Sequence, residues 1–152
     1  FAKAFQEGLE IIMTAHVAYP ALDETSAATF SNIILKNLLR YKMGFKGLVM
    51  SDDLEMQAIT QTIEEIPALA INAGVDLFLI CHDIPKVIQL QENLIKEVEM
   101  GKLSHQNIDD VHQRIIKTKQ KLSKFIDNKI VLEPILEDNL KLAEEMRSYL
   151  LE

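Results

Sequence analysis

Three short, almost unbroken apolar runs, each followed by a longer stretch of helical periodicity, constrain this chain more than anything else in it. They occupy residues 10–17, 47–51 and 75–80. Runs of this length and composition suit strands of a parallel sheet, which is covered on both faces. The segments between them read as helices. Residues 31–41 place Ile33, Ile34, Leu38 and Tyr41 at helical intervals, with Ser31 as N-cap and Gly44 as terminator. A second helix is expected from Thr62, where Thr62 and Glu65 have capping-box spacing and Pro67 falls in the early turns, to near Gly74. A third follows Asp83, with Pro85 near its start, and closes at Gly101. Right-handed crossovers make the three strands parallel neighbours, so the fold class is α/β.

The tail differs. Ser104 caps a helix expected over residues 107–125, with Ile108, Val111, Ile115, Ile116 and Leu122 as its apolar side. Asp127-Asn128 breaks it, Glu133-Pro134 makes a turn, and a last helix is expected over 138–151. Three βα units cannot close a (β/α)8 barrel, which needs eight and about 250 residues. They could form a small open sheet. The chain starts at Phe1, inside a helical pattern of Phe1, Ala2, Phe5 and Leu9, which reads as a piece of a longer protein. That favours a partial TIM barrel over residues 1–126, followed by a helical tail over 127–152.

Composition narrows the function. Among 152 residues the net charge is −7, so no broad basic field exists to collect phosphates or anionic headgroups. Neither nucleic acid nor a membrane is an expected partner. A single cysteine, Cys81, leaves no internal disulfide framework and fits a reducing compartment. No apolar run is long enough for a membrane span, and no basic-then-apolar leader is present.

The chemistry is expected where residues 47–56 run Gly-Leu-Val-Met-Ser-Asp-Asp-Leu-Glu-Met. A buried strand passes straight into two acids, Asp52 and Asp53. α/β enzymes carry catalytic groups at the carboxyl ends of their strands. Two readings compete: a helix N-cap with a first-turn acid, or a nucleophilic carboxylate facing the sheet mouth. Alternation allows only one of the two acids to face the site directly. His16 ends the first run, as a hydrogen-bonded structural histidine or a mouth residue. Cys81-His82-Asp83 end the third run, with Asp83 as N-cap, His82 at the mouth and Cys81 as a small buried hydrophobe. His105 and His112, and the cations Arg114, Lys117, Lys119, Lys121 and Lys124, are expected on a wetted helical face. No His-x-x-x-His, Cys-x-x-Cys, phosphate loop or Gly-x-Ser-x-Gly elbow occurs, so neither metal nor cofactor is expected.

Taken together, four blocks resemble glycoside hydrolase family 3, in particular its peptidoglycan-recycling β-N-acetylglucosaminidases. They are residues 12–17 (Ile-Met-Thr-Ala-His-Val), 20–23 (Pro-Ala-Leu-Asp), 44–56 and 73–76 (Ala-Gly-Val-Asp). The likeness spans about residues 1–122, and the element Ser51-Asp52-Asp53-Leu54-x-Met56 is its most specific part. The resemblance implies a (β/α)8 barrel and a retaining mechanism without metal, in which Asp52 is the nucleophile and forms a covalent glycosyl-enzyme. Asp53 is then auxiliary, because relatives often carry Ala there, and His16, Asp53 and Met56 are the expected substrate-binding residues. It implies a cytoplasmic enzyme acting on saccharides that contain N-acetylglucosamine.

One departure matters. The family's Lys-His-Phe-Pro-Gly-His-Gly-type segment, which supplies the general acid/base, does not occur in this sequence, and none of the four histidines matches it. The chain by itself is therefore expected to be inactive. A partial barrel also exposes sheet edges and an apolar inner face, so a homo-oligomer, or association with the missing half, is expected. The rivals are a small non-catalytic α/β association module and an unrelated barrel enzyme such as an aldolase; the lack of a strand-end lysine weighs against the latter.

Overall fold

A computed structural model describes residues 1–123 together with 137, 139–142 and 147. The chain divides into two compact units, Phe1–Lys119 and Gln120–Glu152. Within the second, the described residues of the tail (137, 139–142 and 147) are helical; Lys124, Phe125 and the turn expected at 127–134 lie outside the described residues, as does most of the last helix.

The first unit is built on a three-stranded parallel sheet. β1 (Ile11–Met13), β4 (Leu48–Asp53) and β5 (Leu77–Leu79) lie in the order β1-β4-β5, with Ile12 opposite Val49 and Met50 opposite both Met13 and Leu77. The three apolar runs are thus the three strands, with β4 central. Between β1 and β4 the chain makes an antiparallel hairpin that the sequence reading lacked: β2 (Ala18–Tyr19) and β3 (Asp23–Ala27), turning through Pro20–Leu22. Its strands are too short and too polar to show alternation.

Ile12, Val49 and Phe78 lie on one face and pack with Leu35, Leu39, Phe45, Ala70, Ala73 and Val75 into the core. Alternation turns Ile11, Met13, Met50 and Leu77 to the other face. There Ile11 and Met13 are exposed, and Met50 and Leu77 only half-buried. Leu48, of the same parity, is buried at the amino-terminal end of β4, and the register of β4 against β5 shifts between Met50 and Asp53, where strict alternation ends.

The helices, of which α1 (Ala2–Gln6) is the first, follow the expected order with local corrections. Residues Ile33–Lys42 wind as a π-helix, with the Met43 amide reaching the Leu38 carbonyl. The wider turn sends Leu35 and Leu39 inward and leaves Ile33 and Tyr41 exposed, so the inward stripe differs from the one a 3.6-residue period picks out. Ser31 does cap it, its Oγ accepting from the Ile34 amide at 3.1 Å. α2 (Ile66–Ala73) starts four residues later than expected, because residues 62–65 form a turn; there the Glu65 carboxylate accepts from the Thr62 amide. α3 (Ile84–Glu99) begins at the Asp83 cap and ends before Gly101, whose φ is +72°. α4 (His105–Ser123) starts after Ser104, which caps the Asn107 amide.

Two devices fix the amino-terminal edge of the sheet. Gly47 lets β4 approach the end of the preceding segment: a Cβ there would fall on the Glu10 carbonyl oxygen and within 2.7 Å of Phe45 Cζ. Backbone cannot yield as a side-chain tip can, so Gly47→Ala is expected to destabilise the chain by about 3 kcal/mol, read from the urea midpoint. The second device is Asp76, just ahead of β5. Its Oδ2 accepts from Arg40 Nη2 at 2.6 Å and from the Val49 amide at 2.8 Å, and its Oδ1 accepts from Arg114 Nε at 2.8 Å. Arg40 also donates to the carbonyls of Gly47 and Gly74. Arg114, expected on a wetted face, is instead drawn inward by this carboxylate.

Candidate active site

Because the sheet is parallel, the carboxyl ends of β1, β4 and β5 share one rim. The rim brings together Thr14 to His16, Asp52 to Met56, and Cys81 to Asp83. Asp52 is the penultimate residue of the central strand. It is half-buried and lies where the register of β4 against β5 shifts, between Met50 and Asp53. Ser51, fully buried, accepts from the Leu79 amide at 3.0 Å and ties β4 to β5 directly beside the acid. Asp52 Oδ1 accepts from the Asp53 amide at 2.8 Å, which restrains the carboxylate's rotation. No helix begins at these acids: a turn follows, and the next helix starts at Ile66, so the N-cap reading of Asp52 and Asp53 fails.

Asp53 turns the chain. Its Oδ1 accepts from the Glu55 amide at 3.1 Å. That bond, together with the Cys81 thiol, outweighs partial desolvation and holds the Asp53 carboxyl below the ordinary carboxylate range. Glu55 in turn receives the amides of Cys81 at 3.0 Å and His82 at 2.6 Å. Desolvation works to raise its carboxyl, but the His82 and Asp83 amides and the Lys86 ammonium bring it below the usual value. Cys81 is exposed, not buried, because β5 stops at Leu79 and the cysteine falls in the following turn. Partial desolvation and the hydrogen bond to Asp53 push its thiol upward.

His16 is buried and engaged on both sides of its ring. Nε2 lies 3.1 Å from the Asp53 carbonyl, an acceptor only, so this nitrogen carries hydrogen; Nδ1 lies 2.8 Å from Thr29 Oγ1. Thr29 continues to Thr14 Oγ1 at 2.9 Å, and the ring stacks against Phe30. His16 thus steadies the residue after Asp52 from beneath. Met56 is exposed at the rim. The Pro20–Asp23 block ends in a structural acid: Asp23 accepts from Thr25 and, at 2.6 Å, from Ser31 Oγ, and these bonds pull its carboxyl down to about 2. An apolar hollow of about 240 Å³ beside Leu22, Ile33 and Leu38 contains none of the rim acids.

A carboxylate at the carboxyl rim of a parallel α/β sheet, backed by a buried hydrogen-bond chain, is placed where barrel folds carry their functional groups. The pattern of the glycosyl hydrolase family 3 N-terminal domain matches residues 1–118. This chain belongs to that family. It is 34% identical over 106 residues to a β-hexosaminidase of Methylobacillus flagellatus, covering 68% of this chain and 30% of that protein. It is 41% identical over 90 residues to a β-hexosaminidase of Neisseria meningitidis serogroup C, covering 58% and 25%. Its fold superposes on a family 3 β-N-acetylglucosaminidase of a Paenibacillus species with a TM-score of 0.78 at 32% identity, over 86% of this chain and 26% of that one. The fold of this chain is the expected partial α/β barrel. The chain spans less than a third of the length of these two β-hexosaminidases. No helix among the described residues is long and apolar enough to cross a membrane.

Proposed function

We propose that this chain is the nucleophile-bearing part of a retaining glycosidase that removes terminal β-linked N-acetylglucosamine from peptidoglycan fragments in the cytoplasm. The observation that carries the reading is the placement of Asp52: half-buried, at the carboxyl end of the central strand, with Oδ1 held by the Asp53 amide. The other carboxylate oxygen attacks the anomeric carbon. A C1–O bond to Asp52 forms as the bond to the departing sugar breaks, and a proton from the general acid goes to the leaving oxygen; water then releases the sugar with net retention. Met56 offers apolar surface at the rim, Asp53 accepts from sugar hydroxyls, and His16 contributes through the Asp53 carbonyl that it holds. The β-hexosaminidase names of the relatives support the sugar class.

The acid/base segment does not occur within these 152 residues. Losing general acid help costs roughly 10²–10⁴-fold, so the chain assayed by itself is proposed to be inactive. Residues 1–126 are proposed as the barrel part and 127–152 as a separate tail. The exposed Ile11 and Met13, with the open edges of β1 and β5, are proposed to be covered by the remaining barrel strands or by a second copy.

The test is a chimera in which residues 1–118 replace the matching stretch of the Neisseria meningitidis relative. It is expected to cleave an aryl β-N-acetylglucosaminide, with the β-anomer seen first by NMR. A folded chimera that releases the α-anomer, or that prefers the aryl β-glucoside, would overturn the reading.

A further inference from the structure

We propose that Asp53, Glu55 and His82 form a divalent-cation site of the zinc class at the carboxyl rim of the sheet, beside the proposed sugar site and sharing Asp53 with it. One oxygen of each carboxylate and one ring nitrogen of His82 lie within 4.8 Å of one another. The three come from two adjacent strand ends: Asp53 closes β4, Glu55 follows two residues on, and His82 stands three residues beyond β5. The turn that carries them is tied together, since Asp53 holds the Glu55 amide and Glu55 holds the amides of Cys81 and His82.

Zinc binds nitrogen and carboxylate oxygen at about 2.0–2.2 Å, so the three donors need to close by only about 1 Å to share one ion. His82 supplies that movement, because its side chain is 83% exposed while Glu55 is held at 14%. Two carboxylates and a neutral imidazole balance a divalent charge. An imidazole donor favours zinc-class ions over calcium and magnesium. A cation is already drawn to the spot: Lys86 Nζ lies 3.6 Å from Glu55 Oε1, and it is exposed enough to swing aside. The spacing explains why no metal motif shows in the sequence. His82 lies 27 residues from Glu55 and is brought to it by the parallel pairing of β4 with β5.

The full 152-residue chain is titrated with zinc in competition with a chromophoric chelator, and the His82 ring is followed by NMR. One equivalent is expected to bind with displacement of the His82 resonances, calcium is expected to bind far more weakly, and His82→Ala and Asp53→Asn are each expected to weaken zinc at least tenfold. Should Asp53→Asn lose its fold by circular dichroism, His82→Ala, which removes an exposed side chain, carries the test alone. Absence of saturable zinc binding, or undiminished binding in His82→Ala, overturns the site. Neither result bears on whether Asp52 attacks a sugar.

Discussion

Asp52→Asn in the Neisseria chimera is expected to lower kcat for the aryl β-N-acetylglucosaminide by on the order of 10⁴-fold or more, the scale on which losing one member of a covalent catalytic unit acts. The amide is nearly isosteric, and its oxygen can still accept from the Asp53 amide, as Oδ1 does at 2.8 Å. What it loses is the negative charge that bonds to the anomeric carbon, so binding is expected to change little while turnover collapses. Steady-state kinetics on both proteins, with thermal melts to show equal folding, separate the two effects. Asp53→Asn, by contrast, alters the turn that follows and one acceptor for sugar hydroxyls but no bond to the anomeric carbon, and is expected to leave a much larger share of activity. If the two substitutions cost the same, or if Asp52→Asn raises KM with kcat untouched, Asp52 is not the nucleophile.

Asp76→Ala is expected to lower the unfolding free energy of the chain by about 3–5 kcal/mol, the cost of stripping a buried charge of its partner. The Asp76 side chain is fully buried, and those of Arg40 and Arg114 are 14% and 27% exposed. Removing the carboxylate leaves two largely desolvated guanidinium groups facing each other, and an unsatisfied Val49 amide in the central strand. Burial already pushes the Arg40 guanidinium down, with the Asp76 charge opposing, so that support would vanish too. Against a total stability of about 5–15 kcal/mol, the loss is a large fraction. Urea denaturation of wild type, Asp76→Asn and Asp76→Ala measures it. Asp76→Asn keeps an acceptor for Val49 and should fall between the other two. A shift below about 1 kcal/mol in Asp76→Ala would show that the cluster contributes little.

The architecture was legible where a single period or a single residue type decides. Continuous apolar runs announced β1, β4 and β5; Asp83 and Ser104 announced their helices, since an oxygen three residues before an orphan amide is a local arrangement. The hairpin at Ala18–Ala27 was not legible, because two and five residues leave no room for alternation. The π winding of Ile33–Lys42 was not either, since apolar residues three and four apart satisfy several helical periods at once. At the site, Asp52 stood out because an acid at the end of an apolar strand is costly unless it is used. The misplacements share one cause. Arg114 looked solvated and Cys81 buried because each was judged by its own helix or run, whereas Asp76 claimed the one and the early end of β5 released the other.

This chain's own order of residues determined the βα alternation, the central acid and the family motif, because those follow from local periodicity and from residues adjacent along the backbone. Only the tertiary structure decided that His16 holds the Asp53 carbonyl, that Asp76 gathers Arg40, Arg114 and Val49, and that Glu55 meets His82. Parallel pairing converts separations of tens of residues into hydrogen-bond distances. No local pattern encodes which side chains that pairing will place face to face.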